Sequence, residues 1–111
     1  MSQTVTPKPL GQVQLGTGFT QVYSPPAATT GVCRLITICN TDTAPRTFSL
    51  YKVPNGGSPV DANALLRNIV INANQTITDD GAHVLATGDA LVGIADVASK
   101  ISVTAEGAEV T

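Results

Sequence analysis

The sequence predicts an all-β protein that folds as a single antiparallel β-sandwich. Its 111 residues are the length of one domain. Short runs rich in Val, Ile and Thr recur about every eight to twelve residues, a spacing typical of sandwich strands. Ten Gly and seven Pro, together with Asn and Asp, supply the chain reversals between these runs. Only residues 61–66 have a helical pattern, and they provide a single turn.

The N-terminal segment is polar, and Pro7 and Pro9 flank Lys8. We therefore expect residues 1–9 to form a flexible, extended N-terminal arm and residues 10–111 to form the β-sandwich domain. Alternating residues over 10–15 and 19–23 predict the first two strands, on either side of a Gly-rich turn. A loop over residues 24–31 follows, because two consecutive prolines stop the ladder of hydrogen bonds.

The most apolar segment of the first half is a predicted strand over residues 32–40. Strict alternation assigns its apolar side chains to two faces: Val32, Ile36 and Ile38 on one, and Cys33, Leu35 and Cys39 on the other. Because both faces are apolar, we expect this strand to be covered on both sides. Arg34 interrupts the first face, which predicts a β-bulge there or an Arg near the strand end that reaches solvent.

A polar turn over residues 40–45 leads to a return strand over residues 46–53. Phe48 and Leu50 are expected to face inward and Thr47 and Ser49 outward, and the change of parity at Tyr51 predicts a bulge. The remaining predicted strands cover residues 67–71, 75–78, 83–86, 90–96 and 100–104, with a short tail strand near Val110. About eight to ten strands fit a jelly-roll sandwich best.

The two cysteines are predicted to be free thiols. Cys33 and Cys39 lie six positions apart in one strand. At about 3.3 Å per residue, their Cα atoms would be roughly 20 Å apart. Because a disulfide needs about 5.5 Å, an intrachain bridge is excluded if both residues are in one strand.

Composition argues against several classes of function. Only 13% of the residues are charged, the net charge is −2, and the six basic residues are scattered singly, so nucleic-acid binding has little electrostatic support. No apolar run reaches the roughly 18 residues that span a bilayer, so we expect no membrane partner. The N-terminus lacks the apolar core of a secretory signal, which predicts synthesis in the cytoplasm without secretion.

No motif with catalytic or ligand chemistry stands out. His83 is the single histidine and has no nucleophile motif around it. Asp79, Asp80 and Asp89 lie at turns without the spacing of a calcium loop, and the Gly56–Gly57 pair does not lead into a phosphate-binding helix. We therefore predict a protein that is not an enzyme, and assign it no catalytic, cofactor-binding or metal-binding residues and no cofactor.

Five segments occur in a distinctive order: VYSPPAATT (22–30), ITICN (36–40), FSLYKVPNGG (48–57), DANALL (61–66) and LATGDAL (85–91). From about residue 6 to the C-terminus, this order resembles a group of small jelly-roll virion structural proteins of tailed bacteriophages, of the head decoration (cement) or tail and fibre type. The chain departs from the group at residues 25–28, where the group has a Gly-containing tight loop.

The resemblance implies a non-enzymatic virion protein, commonly a homotrimer. The preferred interpretation is a capsid decoration or cement protein that binds the major capsid protein on the outside of the head and stabilises the shell. The alternative is a tail, neck or fibre component, either an adaptor or a receptor-binding sandwich. A cellular binding module or an unrelated enzyme remains a third reading, because a shared fold does not determine function.

Overall fold

Two antiparallel β-sheets pack face to face in the computed structural model, which describes residues 3–111. The sandwich predicted from the sequence is thus confirmed. The strands are β1 Val5–Gln14, β2 Thr20–Tyr23, β3 Thr30–Asn40, β4 Arg46–Val53, β5 Ala64–Ile71, β6 Thr76–Asp79, β7 His83–Leu85, β8 Ala90–Ala95 and β9 Ile101–Val110. The predicted helical turn is a 3₁₀ turn over Asp61–Asn63, and β5 begins directly after it.

The strand order is that of a jelly roll. One sheet has the order β1-β9-β3-β6, with β7 also paired to β3, and the other has the order β2-β8-β4-β5. With β6 and β7 taken as one interrupted strand, the first strand pairs with the last, the second with the next to last, and so on to the β4–β5 pair. The nested pairs form one long antiparallel ribbon that folds over on itself. Successive pairs of the ribbon therefore alternate between the two sheets.

The hydrophobic core lies between the sheets and draws on nearly every strand. Alternate residues of each strand point inward, so the sequence periodicity is also the core pattern. Burying a side chain as large as Phe48 contributes about 1.5–3 kcal/mol. The buried apolar set comprises Leu15, Val22, Tyr23, Cys33, Ile36, Ile38, Phe48, Leu50, Ile71, Leu85, Leu91, Ala95, Ile101, Val103 and Ala105.

Strand β1 starts at Val5, not at residue 10 as the predicted arm implied. Residues 5–9 pair with β9, with Val5 opposite Val110 and Pro7 opposite Ala108. The two prolines are tolerated because β1 is an edge strand, where an absent N–H on the free side removes no ladder bond. Residues 1 and 2 of the expected arm lie outside the described residues.

The predicted irregularity at Arg34 is confirmed as a β-bulge, and it changes the faces of β3. The register against β9 shifts between Cys33 and Leu35, and Arg34 is exposed. The extra residue reverses the alternation, so Cys33, rather than Val32, shares the core face with Ile36. The assignment of Val32 to that face was therefore wrong. Cys33 and Cys39 are both free thiols, as predicted.

Strand β4 pairs with β8 in a regular register over residues 48–53, and the expected bulge lies on its other neighbour, β5. The register between β4 and β5 shifts twice, and Asn68 on β5 has a positive φ of 53°. Ser49 was expected to face solvent, but it is buried. Its hydroxyl accepts a hydrogen bond from the Asn68 N–H at 2.9 Å. Tyr51 is covered by an edge-to-face contact with Phe19, with ring centroids 5.8 Å apart.

Candidate interaction surface

The residues weighed for nucleophilic chemistry do come close together, but not as a reactive site. His83 Nε2 lies 3.3 Å from Asp79 Oδ2, a contact that closes the turn between β6 and β7. Cys33 is opposite His83 in the strand register, but its thiol is buried and lies 3.8 Å from the Leu35 carbonyl oxygen. Burial raises the pKa of the Cys33 thiol, which disfavours the nucleophilic thiolate.

Three of the segments that carry the phage resemblance meet at one end of the sandwich. Their loops, residues 24–29, 54–63 and 86–89, are held together by polar side chains. The Asp89 carboxylate accepts hydrogen bonds from the N–H groups of Asn55 and Ala86, each at 2.9 Å. Thr87 donates to the Thr29 carbonyl at 2.7 Å. These contacts give the segments a structural role, which is to fix the three loops against one another.

A metal or small-molecule site finds no support in the described residues. Across residues 3–111, no three His, Cys, Asp or Glu side chains are grouped closely enough to hold a metal ion. Asp80 is exposed in the β6–β7 turn. A shallow depression of about 210 Å³ lies on the four-stranded sheet beside Ser49, Asn68 and Ile94. Ligand pockets usually measure about 300–1,000 Å³, so this depression has room for little more than one side chain.

Glu109 links the two sheets at the end that carries the chain termini. Its carboxylate accepts a hydrogen bond from the Tyr23 hydroxyl at 2.7 Å and another from Lys8 Nζ at 3.1 Å. The Tyr23 hydrogen bond, followed by the one from Lys8, lowers the pKa of Glu109. Burial, and then the bond to Glu109, raises the pKa of the Tyr23 hydroxyl. The contact fixes residues 5–9 of β1 to the sandwich.

We expect the Glu109→Gln protein to lose less stability on acidification than the wild type. A carboxyl group whose pKa is lower in the folded state stabilises the fold above its ordinary pKa of 4.5, and that contribution disappears as the pH falls through the folded value. Urea unfolding between about pH 5 and pH 3 should therefore give a flatter curve for the variant. Asp80→Asn, at an exposed carboxylate in the β6–β7 turn, is the control, and equal slopes for Glu109→Gln and wild type would contradict the prediction.

The outward face of the five-stranded sheet carries an apolar patch at the same end. Two cross-strand rows form it: Val5 and Val110 in one, and Pro7, Ala108, Val32 and Val84 in the other. We call these six residues the outer valine patch. They point away from the core because their strand neighbours Cys33 and Leu85 point into it. Val5 is 61% exposed and Val84 is 54% exposed, so the patch faces solvent.

The rest of this outward face is almost uncharged. Beyond the outer valine patch, alternation and register place polar, uncharged side chains and Cys39 on it: Gln12, Gln14, Thr37, Thr76, Thr78, Ser102 and Thr104. Its charged residues are Arg34, at the bulge, and Glu106, which pairs with Leu35 beside it. Neither charge has an ion-pair partner among residues 3–111. A low share of charged residues is a compositional feature of the centre of protein–protein interfaces, and this face has it.

Comparison of the chain with protein-family models, with curated proteins and with solved structures found no match. Nor do residues 3–111 contain a helix with the length and apolar character needed to cross a membrane.

Proposed function

We propose that the chain is a structural protein of tailed-phage virions, most specifically a capsid decoration or cement protein. The observation that carries the proposal is the broad, nearly uncharged outward face of the five-stranded sheet. Such a face is suited to packing against neighbouring protein, because complementary apolar and polar contact requires little desolvation of charge there. The proposal combines this face with the order of sequence segments that resembles phage virion proteins.

In this proposal the partner is the major capsid protein, and the place of action is the outside of the virion head. A protein that binds the assembled shell, and not its dissociated subunits, stabilises the shell by mass action without any chemical step. The resemblance further implies that the chain acts as a homotrimer. Attachment would not depend on a flexible arm over residues 5–9, because that segment is part of β1. Rigid sheet surfaces and the loops at the sandwich ends are the surfaces left to make the contact.

Copy number in purified particles tests the proposal. A decoration protein repeats with the surface lattice, so we expect on the order of hundreds of copies per particle by quantitative mass spectrometry against the major capsid protein. A small multiple of three or six would contradict decoration and favour the tail, neck or fibre alternative. As a functional control, particles that lack the protein should release their genome at a lower temperature, and re-addition of the purified chain should restore the wild-type temperature.

A further inference from the structure

We infer that the outward face of the five-stranded sheet, centred on the outer valine patch, is a contact between copies of this chain. The inference concerns self-association alone. It specifies a face-to-face contact between two copies, which is separate from the homotrimer that the resemblance implies, and it does not depend on attachment to a capsid. The occupant of the face is a second copy, because the charges of the face are self-complementary, and its dimensions and the protected β1 edge are compatible with a contact through the face.

The charges on this face are self-complementary. Arg34 and Glu106 border the outer valine patch on neighbouring strands, and both are exposed. A patch that carries one unpaired positive charge and one unpaired negative charge can satisfy both against an identical patch. A two-fold arrangement that brings Arg34 of one copy against Glu106 of the other forms this pair twice, because each contact is repeated by the symmetry. A partner of a single charge would satisfy one of these residues and repel the other.

The dimensions of the face are sufficient for a stable contact. It has four strand positions, and β1 and β9 each contribute ten residues. At about 4.8 Å between strands and 3.3 Å per residue, the face measures roughly 19 by 33 Å. Two copies would therefore cover on the order of 1,200 Å² between them, at the lower end of the range for specific protein interfaces. The outer valine patch would supply the apolar centre and the Thr, Ser and Gln side chains the polar remainder.

The β1 edge of this sheet is protected, which disfavours association through that edge and leaves the face available. Pro7 and Pro9 have the same parity on β1 and lack the N–H groups that an added strand would need. Prolines on an edge strand are a common defence against edge-to-edge pairing. The face beside this edge has no corresponding defence, because Val5 and Val84 are exposed where other proteins place charged residues.

Sedimentation equilibrium of the full chain, with and without a charge in the patch, tests the inference. Wild type should associate, and Val84→Asp should weaken association by at least about tenfold, since a charge would be buried without a partner. Val70→Asp is the matched control: Val70 is 62% exposed on β5, an edge strand of the other sheet, and its substitution should leave the association constant unchanged. A wild type that stays monomeric up to about 100 µM overturns the inference, as does equal weakening by the two variants.

Charge reversal provides a second test that does not require a change in the apolar centre. Arg34→Glu and Glu106→Arg should each weaken association by about tenfold, because each sets like charges against each other across the contact. The double variant Arg34→Glu/Glu106→Arg should restore most of the wild-type association constant. If the double variant does not recover the wild-type association constant, Arg34 of one copy does not face Glu106 of the other. Particle binding by variants that stay monomeric is measured separately, so loss of self-association and loss of capsid attachment are distinguishable.

Discussion

The Asn40→Asp protein is expected to be about 4 kcal/mol less stable than the wild type at neutral pH. Asn40 ends β3, and its side chain is fully buried. Its amide nitrogen donates to the carbonyl oxygens of Ala44, Ile71 and Asn72 at 2.9, 3.0 and 3.2 Å. A carboxylate of nearly the same shape has no N–H to donate, so it would place negative charge against three carbonyl oxygens. The loss is a large part of the 5–15 kcal/mol that stabilises a typical domain.

The amide of Asn40 has no substitute nearby because it joins three separate segments. Its Oδ1 accepts a hydrogen bond from the N–H of Asp42 at 2.9 Å, which shapes the β3–β4 turn, while its nitrogen bonds the end of β5 and the start of the β5–β6 turn. The residue therefore links both sheets at the end opposite the chain termini. A buried polar group with all of its bonds made stabilises the fold, and the same group with its donors removed costs more than an apolar residue would.

Urea unfolding monitored by circular dichroism measures the effect, with Asn72→Asp as the matched control. Asn72 is exposed, so the same chemical change there should alter stability by well under 1 kcal/mol. Lowering the pH should return part of the lost stability to Asn40→Asp, because the protonated acid regains one O–H donor. If Asn40→Asp does not fold, Asn40→Ala is the second variant, and we expect it to lose about 2–3 kcal/mol. An Asn40→Asp protein as stable as wild type would rule out the proposed role of the amide.

Sequence periodicity was sufficient for the architecture because strand alternation and turn chemistry are local signals. The bulge at Arg34 was also visible, since a charged residue interrupts an apolar face there. What periodicity missed was the consequence of that bulge, the reversal of faces that moves Cys33 into the core and Val32 out of it. The prediction applied strict alternation across Arg34, where the extra residue of the bulge interrupts the alternation.

The outward face was not predictable to the same degree because it depends on pairing between distant segments. Residues 5–9 were assigned to an arm on account of two prolines, and residues 100–104 and the tail near Val110 were predicted as two strands, whereas β9 is continuous from Ile101 to Val110. Each segment has a weak strand signal alone, and they become strands by pairing with each other. The alternation of Val5 and Pro7, and of Ala108 and Val110, was the available signal. Lys8 and Glu109 carry opposite charge, but nothing in the sequence places them within 3.1 Å of each other.

We expect the Gly107→Ala protein to be about 3 kcal/mol less stable than wild type. Gly107 lies on β9 opposite Cys33, directly beside the bulge on β3. A Cβ atom there would overlap the carbonyl oxygen of Val32 and would lie 3.1 Å from the backbone nitrogen of Arg34. Both neighbours are backbone, so no rotamer change relieves the contact. The strands would have to separate or lose the bulge, and loss of the bulge would reverse the faces of half of β3.

Gly18→Ala is the matched control for Gly107→Ala, because a Cβ atom at Gly18 would have no neighbouring atom within 4 Å. The control should gain stability by no more than about 0.5–1 kcal/mol, since alanine reduces the conformational freedom of the unfolded chain. Urea unfolding gives both values, and hydrogen exchange locates the damage: the amides of β3 and β9 should lose protection in Gly107→Ala before those of β4 and β8. Equal stability of Gly107→Ala and Gly18→Ala would mean that β3 and β9 can separate beside Gly107 without a loss of unfolding free energy. The bulge at Arg34 would then not be what requires glycine on the neighbouring strand.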